Sequence, residues 1–451
     1  MFYRRKIYDK LLLWKEQFSG NKALLIEGAR RIGKSTVVQE FAKNEFKSYI
    51  LIDFNDVTDV VTNAFEKYFN DLDTFFLIIS TEYNTKLYPH NSLIIFDEVQ
   101  QYPKARQSIK KLVADGRYSY IETGSLVSIK ENVKGITIPS EERSIKMYPM
   151  DFEEFCWALG EEEIIKYIHK CFNEKVPLEE NLHKKAMLLF RQFILVGGMP
   201  KCVDIFVQKR DFELVDTEKR DILDLYKKDI SKAAKNYRNK VLTIFEQIPT
   251  FLSHHEKRVR LSNITSSTSF PLYEDTFFWL ADSMISNECY NCADPNVGLS
   301  MNEERTLIKC YMGDTGLLVS HAFNENEIAT EELYKEILFG KLSINNGMLF
   351  ENAIAQCLVS SGHKLFFYTH YNSESKRNDI EIDFILSNMS KTKFKIYPIE
   401  VKSSKQYRNI SLTKFEEKYK SRIGQSYIIH PKNYFIKDGI IYIPSYMTCC
   451  L

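Results

Sequence analysis

The residues with the clearest chemistry lie between positions 28 and 36. Residues 28–35 read G-A-R-R-I-G-K-S, which fits the G-x-x-x-x-G-K-[ST] pattern of a phosphate-binding loop. Glycines let successive backbone N–H groups face the phosphate oxygens, and the following helix N-terminus adds partial positive charge. Lys34 is expected to reach the β- and γ-phosphates, and the Ser35 hydroxyl to bind Mg²⁺. The pattern predicts a nucleoside triphosphate site, with ATP and Mg²⁺ as its ligands.

The segments on either side of this loop are of the kind a P-loop needs. Residues 22–27 form an apolar run long enough for one buried strand, and residues 36–43 have helical spacing. A glycine-containing turn with a stray lysine is the alternative, and the flanking strand and helix argue against it. The nucleotide contacts predicted from this segment are Gly28, Ala29, Arg30, Arg31, Ile32, Gly33, Lys34, Ser35 and Thr36.

Residues 49–53 are predicted to form the second strand of the sheet. Two carboxylates follow a later apolar strand, about 60 residues after the lysine. Residues 92–96 are largely apolar and lead directly into Asp97 and Glu98. In a parallel P-loop sheet the carboxyl end of that strand lies beside the phosphates. Asp97 is therefore expected to join the Mg²⁺ shell, and Glu98 to orient and deprotonate an attacking water. A small-molecule kinase would not need that glutamate, so the pair favours hydrolysis.

The next strand, residues 118–122, ends in small polar groups. Thr123 and Ser125 are the two candidates for the side chain that senses the γ-phosphate. An ordinary strand-to-loop turn is the alternative for either residue.

An arginine just before the expected fifth strand is a candidate for an arginine finger. Arg143 precedes residues 144–148, whose pattern is that of a strand. Arg106 and Arg117 compete for the role, and a solvated arginine is the default interpretation of each.

Four motifs together resemble those of the prokaryotic AAA-type ATPases that carry a C-terminal domain of unknown function related to restriction endonucleases. They are the run at 28–35, F-D-E-V-Q at 96–100, T-G-S at 123–125 and Y-P-M-D-F-E-E-F at 148–155. The resemblance covers nearly the whole chain and implies an ATPase fold, without a settled biological role. Where Gly-Arg is usual in that family, this chain has Glu142 before its arginine.

The middle of the chain divides into two predicted parts. Residues 151–236 show helical apolar spacing, which predicts a small helical lid after the ATPase sheet. Arg191 and Arg220 are candidates for a second sensor there. Residues 238–292 have the order of a winged helix, in which Lys257, Arg258 and Arg260 could meet DNA phosphates. The acidic residues of its second expected helix argue for a structural or protein-contact role instead: Glu274, Asp275 and Asp282.

The C-terminal part carries carboxylates at separated positions. Glu351 lies on an expected helix, Asp383 on an alternating strand, and Glu400 and Lys402 share one face of the next strand. Their order resembles the PD-(D/E)xK nuclease core. The three carboxylates would hold a divalent ion, and Lys402 would orient or deprotonate the water that attacks a phosphodiester. A nuclease-like fold that keeps these charges without cleaving anything is the alternative.

Composition narrows the class of protein. The 451 residues are 44% hydrophobic and 13% aromatic, so most of the chain should fold, in more than one domain. The 61 basic and 60 acidic residues nearly cancel, so bulk charge gives no argument for nucleic acid. Nine scattered cysteines, with only the Cys289/Cys292 pair at C-x-x-C spacing, suit a reducing compartment. Without a membrane span or a signal-peptide pattern, the expected location is the cytoplasm.

These patterns together predict an α/β protein. It would combine a P-loop parallel-sheet ATPase domain, a helical lid, a winged-helix-like middle unit and a C-terminal α/β restriction-endonuclease-like domain. We expect ATP hydrolysis whose nucleotide state controls the nuclease-like domain, with DNA, a protein or a second copy of the chain as candidate partners. An ATP-dependent switch that binds DNA or protein and has no nuclease activity is the alternative. The expected domain boundaries are 1–150, 151–236, 237–340 and 341–451.

Overall fold

The computed structural model divides the chain into two compact units, Met1–Tyr148 and Pro149–Leu451. Over the part of the chain it describes, no helix has the length and apolar character to cross a membrane. The described residues are 2–124, 140–233, 238–254, 256–259, 273–324, 329–339, 346–374, 376–387, 395–404 and 407–451.

The first unit is built on one parallel sheet. Among its described residues the strands run in the order β2-β3-β4-β1-β5, and each neighbouring pair is parallel. Strands β1, β3 and β4 are buried at every position, as expected for a parallel sheet covered by helices. The predicted P-loop sheet is thereby confirmed. Its elements are α1 (Ile7–Phe18), β1 (Ala23–Glu27), α2 (Lys34–Glu45), β2 (Ser48–Asp53), α3 (Asp59–Asn63), α4 (Leu72–Glu82), β3 (Ser92–Asp97), α5 (Pro103–Asp115), β4 (Ser119–Gly124) and β5 (Glu142–Lys146).

An aromatic cluster packs against one face of this sheet and fixes the end of β3. The ring centroid of Phe96 lies 5.7 Å from that of Phe54 and 5.9 Å from that of Phe65. Phe65 in turn meets Phe75 at 5.0 Å. Because Phe96 directly precedes Asp97, this packing sets the position of the carboxylate that follows.

A buried cation joins α5 to strands β4 and β5. Nη2 of Arg106 donates to Glu142 at 3.0 Å, and its Nη1 lies 3.8 Å from Glu122. Burial, and then the neighbouring carboxyl of Glu142, raise the pKa of Glu122 well above its ordinary value. Arg106 thus pairs with Glu142 and lies beside the buried carboxyl of Glu122, and these contacts inside the unit argue against an arginine-finger role for it.

The second unit begins with helices. Residues 151–236 are predicted to be helical, and the described residues in this range lie mainly in helices. At its Gly197-Gly198 turn, the backbone N–H of Gly198 donates to Asp314 at 2.6 Å. A side chain at Gly198 would lie 1.9 Å from the carbonyl oxygen of Met150, so only glycine fits. The helices are α6 (Phe152–Ala158), α7 (Glu162–Glu174), α8 (Glu180–Val196), α9 (Pro200–Lys209), α10 (Phe212–Ala233) and α11 (Arg238–Ser253).

The rest of the second unit holds two sheets. Over the described residues one has the order β7-β6-β8-β9 and the other the order β10-β11-β12-β14-β13. The elements are α12 (Glu274–Asp282), β6 (Ser286–Cys292), β7 (Glu303–Met312), α13 (Thr315–Ala322), α14 (Glu331–Leu338), α15 (Asn346–Ser360), β8 (Leu365–Asn372), β9 (Arg377–Ile382), β10 (Phe384–Ser387), β11 (Ile396–Val401), α16 (Ile410–Tyr419), β12 (Tyr427–His430), β13 (Phe435–Lys437) and β14 (Ile440–Pro444).

One sheet runs across the expected boundary between residues 340 and 341. Strand β6 pairs antiparallel with β7 and parallel with β8, with Cys289 opposite Leu365. The reason is that the second edge of β6 needs a partner for its backbone groups, and β8 supplies it. Strands from both sides of the predicted boundary therefore belong to one sheet, and the boundary itself stays a prediction.

The winged-helix prediction remains a prediction. Helix α11, the bridge between Arg258 and Lys309, helix α12 and the β6–β7 hairpin occur in the expected order. The stretch where a further helix of the motif would fall, 260–272, lies outside the described residues, as does Arg260.

We predict that Arg106→Ala destabilises the first unit by about 3–5 kcal/mol, because it leaves the buried carboxylate of Glu142 without its cation. Arg117→Ala is the matched control. Its guanidinium pairs with Asp115 and Asp73 at a half-exposed site, so its loss should cost at most about 1 kcal/mol. Amide hydrogen exchange in peptides that span β4 measures the difference. Equal exchange in the two variants would contradict the structural role of Arg106.

Candidate nucleotide site

The loop between β1 and α2 has a backbone that its glycines make possible. Gly33 has φ 91° and caps the start of α2. A side chain at Gly28 would lie 2.6 Å from the carbonyl oxygen of Met147, so the close approach of the two segments requires glycine. Ala29 and Ile32 are buried beneath the loop and anchor it, whereas Arg31 is exposed with φ 67°. Arg30 is half-buried, and Thr36 is exposed in the first turn of α2.

Lys34 is the first residue of α2, and its ammonium lies over the loop. Its Nζ donates to the carbonyl oxygens of Gly28 and Ala29, each at 2.9 Å. The residue is only 5% exposed. Burial lowers the pKa of Lys34, while Glu98 and Asp97 act in the opposite direction. The cation is thus held by the loop at the place where the sequence predicts phosphate contacts.

Three oxygen-bearing side chains meet at the carboxyl edge of the sheet. The Ser35 hydroxyl donates to Oδ1 of Asp97 at 2.9 Å, and the Thr123 hydroxyl donates to the same oxygen. Hydroxyl and carboxylate oxygens are the ligand type that Mg²⁺ takes, so Ser35 and Asp97 fit that ion. The buried Thr123 occupies the position expected of the sensor. Its competitor, Ser125, lies outside the described residues.

Glu98 adopts a backbone conformation that non-glycine residues rarely take. Its φ of 53° and ψ of 45° place it in the left-handed region. Its backbone N–H faces the Thr123 hydroxyl at 3.3 Å, and its carboxylate accepts a hydrogen bond from Gln100 at 2.5 Å. Gln100 orients the predicted base, a role that sequence reasoning missed. The signal was its position two residues after Glu98 in the F-D-E-V-Q motif.

The arginine-finger candidate Arg143 lies away from the edge of the sheet that carries Lys34. Arg143 is exposed on β5, opposite Leu24 in the sheet register, with its guanidinium 4.5 Å from the ring centroid of Phe18. Leu24 lies three residues before the end of β1, so Arg143 is below the edge that carries Lys34. A finger role toward a second copy of the chain stays a prediction.

The two second-sensor candidates make contacts inside the Pro149–Leu451 unit. Arg191 donates to the carbonyl oxygen of Leu338 at 3.2 Å, and burial lowers the pKa of Arg191. Arg220 pairs with Asp216 at 2.6 Å. Neither contact identifies a sensor, so that assignment also stays a prediction.

A buried lysine lies among the carboxylates of the expected nuclease-like site. Lys309, on β7 and 1% exposed, has its Nζ 3.3 Å from Glu351, 3.5 Å from Asp383 and 3.6 Å from Glu381. Burial alone would lower the pKa of Lys309, but these carboxylates raise it above the ordinary value. The cluster therefore already contains a cation from the protein.

Glu351 has further partners. The ammonium of Lys257 lies 2.6 Å from it, and the Tyr311 hydroxyl donates to it at 2.5 Å. Although burial opposes the shift, Lys257 and Lys309 hold the pKa of Glu351 below its ordinary value. Two cations and a hydroxyl thus satisfy this carboxylate.

The predicted ligands Asp383 and Glu400 are held differently. Asp383 lies at the break between β9 and β10 and accepts the backbone N–H of Val401 at 2.8 Å. Burial raises the pKa of Glu400 to about 7, although Lys402 lies 2.9 Å away and opposes the shift. Among the residues that the structure describes, Glu351, Asp383 and Glu400 do not form a group with ligand atoms mutually within 4.8 Å. The structure does not bring the expected ligand set together, because Lys309 lies between Glu351 and Asp383.

Comparison with known proteins assigns the first unit. Residues 20–156 match the family model of an AAA domain, so this part of the chain is an AAA-type P-loop ATPase domain. Residues 187–327 match a domain of unknown function (DUF8612), and residues 346–447 match another (DUF4143). The resemblance to restriction endonucleases stays a prediction.

Comparison over the whole chain does not assign a function to this protein. The AMPPCP-bound DnaA from Aquifex aeolicus matches with 11% sequence identity and a TM-score of 0.28, over 62% of this chain and 80% of that one. At this TM-score the likeness carries no argument. No curated protein matches.

We predict that Mn²⁺ does not stabilise the wild-type protein through Asp383, because Lys309 already neutralises the cluster. In Lys309→Met the carboxylates lose that cation, so the variant should be less stable and should gain a thermal shift with Mn²⁺. A thermal-shift titration measures both. Lys364→Met, which removes an exposed lysine, is the control. A shift in the wild type that Asp383→Ala abolishes would contradict the expectation.

Proposed function

We propose that the first unit hydrolyses ATP with Mg²⁺. The observation that supports this most is the meeting of the Ser35 and Thr123 hydroxyls on one oxygen of Asp97, beside the buried Lys34. These groups come from three different segments of the chain. Their convergence at the carboxyl edge of a parallel sheet is the arrangement that phosphoryl transfer needs.

Each side chain then has a definite task. Lys34 donates hydrogen bonds to the β- and γ-phosphate oxygens, and the loop N–H groups bind the remaining oxygens. Ser35 and Asp97 would hold Mg²⁺, which when bound supplies charge neutralisation at the phosphates. Glu98 accepts a proton from the water whose oxygen attacks the γ-phosphorus, and the bond to the β-phosphate oxygen breaks. Gln100 holds the Glu98 carboxylate, and Thr123 contacts the terminal phosphate.

We predict that Glu98→Gln keeps ATP binding and loses turnover by about 10²–10⁴-fold, because an amide is not a base. Lys34→Ala should lose binding itself, since it removes the main cation that faces the phosphates. Steady-state phosphate release and binding of a fluorescent ATP analogue separate the two effects. The exposed Glu66→Gln is the control and should behave as the wild type. Hydrolysis at the wild-type rate by Glu98→Gln would refute the base assignment.

The second part of the proposal is that the protein is an ATP-dependent switch without phosphodiester chemistry of its own. The buried ammonium of Lys309 between Glu351 and Asp383 favours it over a nuclease. Two cations expected to meet DNA phosphates also have partners, because Lys257 pairs with Glu351 and Arg258 with Glu256 at 2.5 Å. Binding of a protein or of a second copy is therefore favoured over cleavage of DNA.

We predict that the protein leaves plasmid DNA intact in Mg²⁺ or Mn²⁺, with and without ATP, because no divalent ion is expected to enter the cluster. Gel analysis of supercoiled plasmid detects nicking with high sensitivity. Asp383→Ala serves as the matched control for a contaminating nuclease. Cleavage by the wild type that both Asp383→Ala and Lys402→Ala abolish would restore the nuclease hypothesis.

A further inference from the structure

A group of ligating side chains in the second unit belongs to neither site above. His169 lies on α7, and Cys449 and Cys450 end a short 3₁₀ helix, Ser445–Cys450. One ring nitrogen of His169 and the two sulfur atoms lie within 4.8 Å of one another. These three residues combine the ligand types of many zinc sites, two thiols and an imidazole.

The orientation of His169 is fixed by a second residue. Its Nε2 pairs with Oε1 of Glu153, which leaves Nδ1 facing the Cys450 sulfur at 3.5 Å. Metal-bound histidines are commonly held in this way, with one ring nitrogen on the metal and the other on a carboxylate. Glu153 is 5% exposed and is itself well placed, because the capping box of Asp151 and Glu154 fixes the first turn of α6.

The two thiols can be reached from solvent. Both cysteines are half-buried, and the Cys449 thiol donates to the carbonyl oxygen of Tyr446 at 3.2 Å. The thiolate is the form of cysteine that binds metals.

The C-x-x-C pair of the sequence does not compete with this group. Cys289 and Cys292 are both fully buried on β6, and residues three apart on a strand face opposite sides of the sheet. The Cys292 thiol instead faces the carbonyl oxygen of Leu299 at 3.7 Å.

We propose that His169, Cys449 and Cys450 form a zinc site, with Nδ1 and two thiolates as ligands and a fourth position open to a further ligand. Zinc suits this set because it accepts sulfur and nitrogen together, whereas Mg²⁺ and Ca²⁺ require oxygen. Zinc–sulfur bonds of about 2.3 Å place tetrahedral ligands about 3.8 Å apart, and the 3.5 Å between Nδ1 of His169 and the Cys450 sulfur is already close to that spacing. Both thiols release their protons to solvent as the two zinc–sulfur bonds form.

The site links segments that are far apart in the sequence. Zinc would join α7 to the Ser445–Cys450 helix, while Glu153 connects α6 to the same point. A ligand that binds only the folded form stabilises it in proportion to the logarithm of its saturation. Zinc should therefore raise the melting temperature of the Pro149–Leu451 unit.

Cobalt titration of the full-length, reduced and metal-free protein tests the site. The expected result is one tetrahedral Co²⁺ per chain, with thiolate-to-cobalt charge-transfer absorption that added Zn²⁺ removes. Cys449→Ser and Cys450→Ser should each weaken this absorption, and the double variant should lose it. Cys292→Ser also removes one thiol, but from the C-x-x-C pair, and should bind as the wild type.

The Glu153→Gln variant tests whether Glu153 positions the His169 ring for metal binding or only supports the fold. The variant keeps every ligand atom, so its cobalt spectrum should have the wild-type shape while its affinity falls by about 10–100-fold. Unchanged affinity would refute the role of Glu153.

Alkylation keeps the proposal testable should a cysteine variant fail to fold. In the wild type, Zn²⁺ should protect Cys449 and Cys450 from iodoacetamide, as mapped by mass spectrometry. Three results would overturn the site: no thiolate absorption in the wild type, full absorption in the double variant, or no protection by zinc.

Discussion

The position of β4 between β1 and β3 is the constraint on which the first unit depends. Parallel hydrogen bonding sets Ile26 opposite Thr123 and Phe96 opposite Glu122, so the three strands end at one level. The loop after β1, the hydroxyl at the end of β4 and the carboxylate at the end of β3 therefore meet at one edge. A different strand order would leave the same residues in the sequence and separate them in space.

The two sets of carboxylates in this protein are neutralised in different ways. Asp97 is held by two hydroxyl donors, which carry no net charge. Glu351 is held by two ammonium groups and a hydroxyl. Asp97 therefore keeps a negative charge that a divalent cation can share. The charge of Glu351 is already balanced by the two ammonium groups. The chemistry of each cluster follows from its neighbours more than from the carboxylates themselves.

The sequence best predicted those features of the fold and of the site that depend on one short segment of the chain. The loop at 28–35, the Asp97-Glu98 pair and the first four strands of the sheet depend on local patterns and are found close to where those patterns put them. The fifth strand begins two residues earlier than expected, so Arg143 lies on it and not before it. The partners of the carboxylates were not predictable in this way, because Lys309 comes from a strand 42 residues before Glu351. His169 and Cys450 are separated by 281 positions, and no spacing rule joins them. The β6–β8 pairing was likewise hidden, because it is a contact between distant segments.

The sheet shared by β6 and β8 also joins two parts of the second unit that are distant in sequence. The regions matched by the two domains of unknown function, 187–327 and 346–447, contribute adjacent strands to it. Lys309 on β7 and Asp383 after β9 lie at the two sides of the same sheet, tied together by an ion pair. A displacement of the β6–β7 hairpin would therefore move Lys309 away from Glu351 and Asp383 unless those carboxylates moved with it.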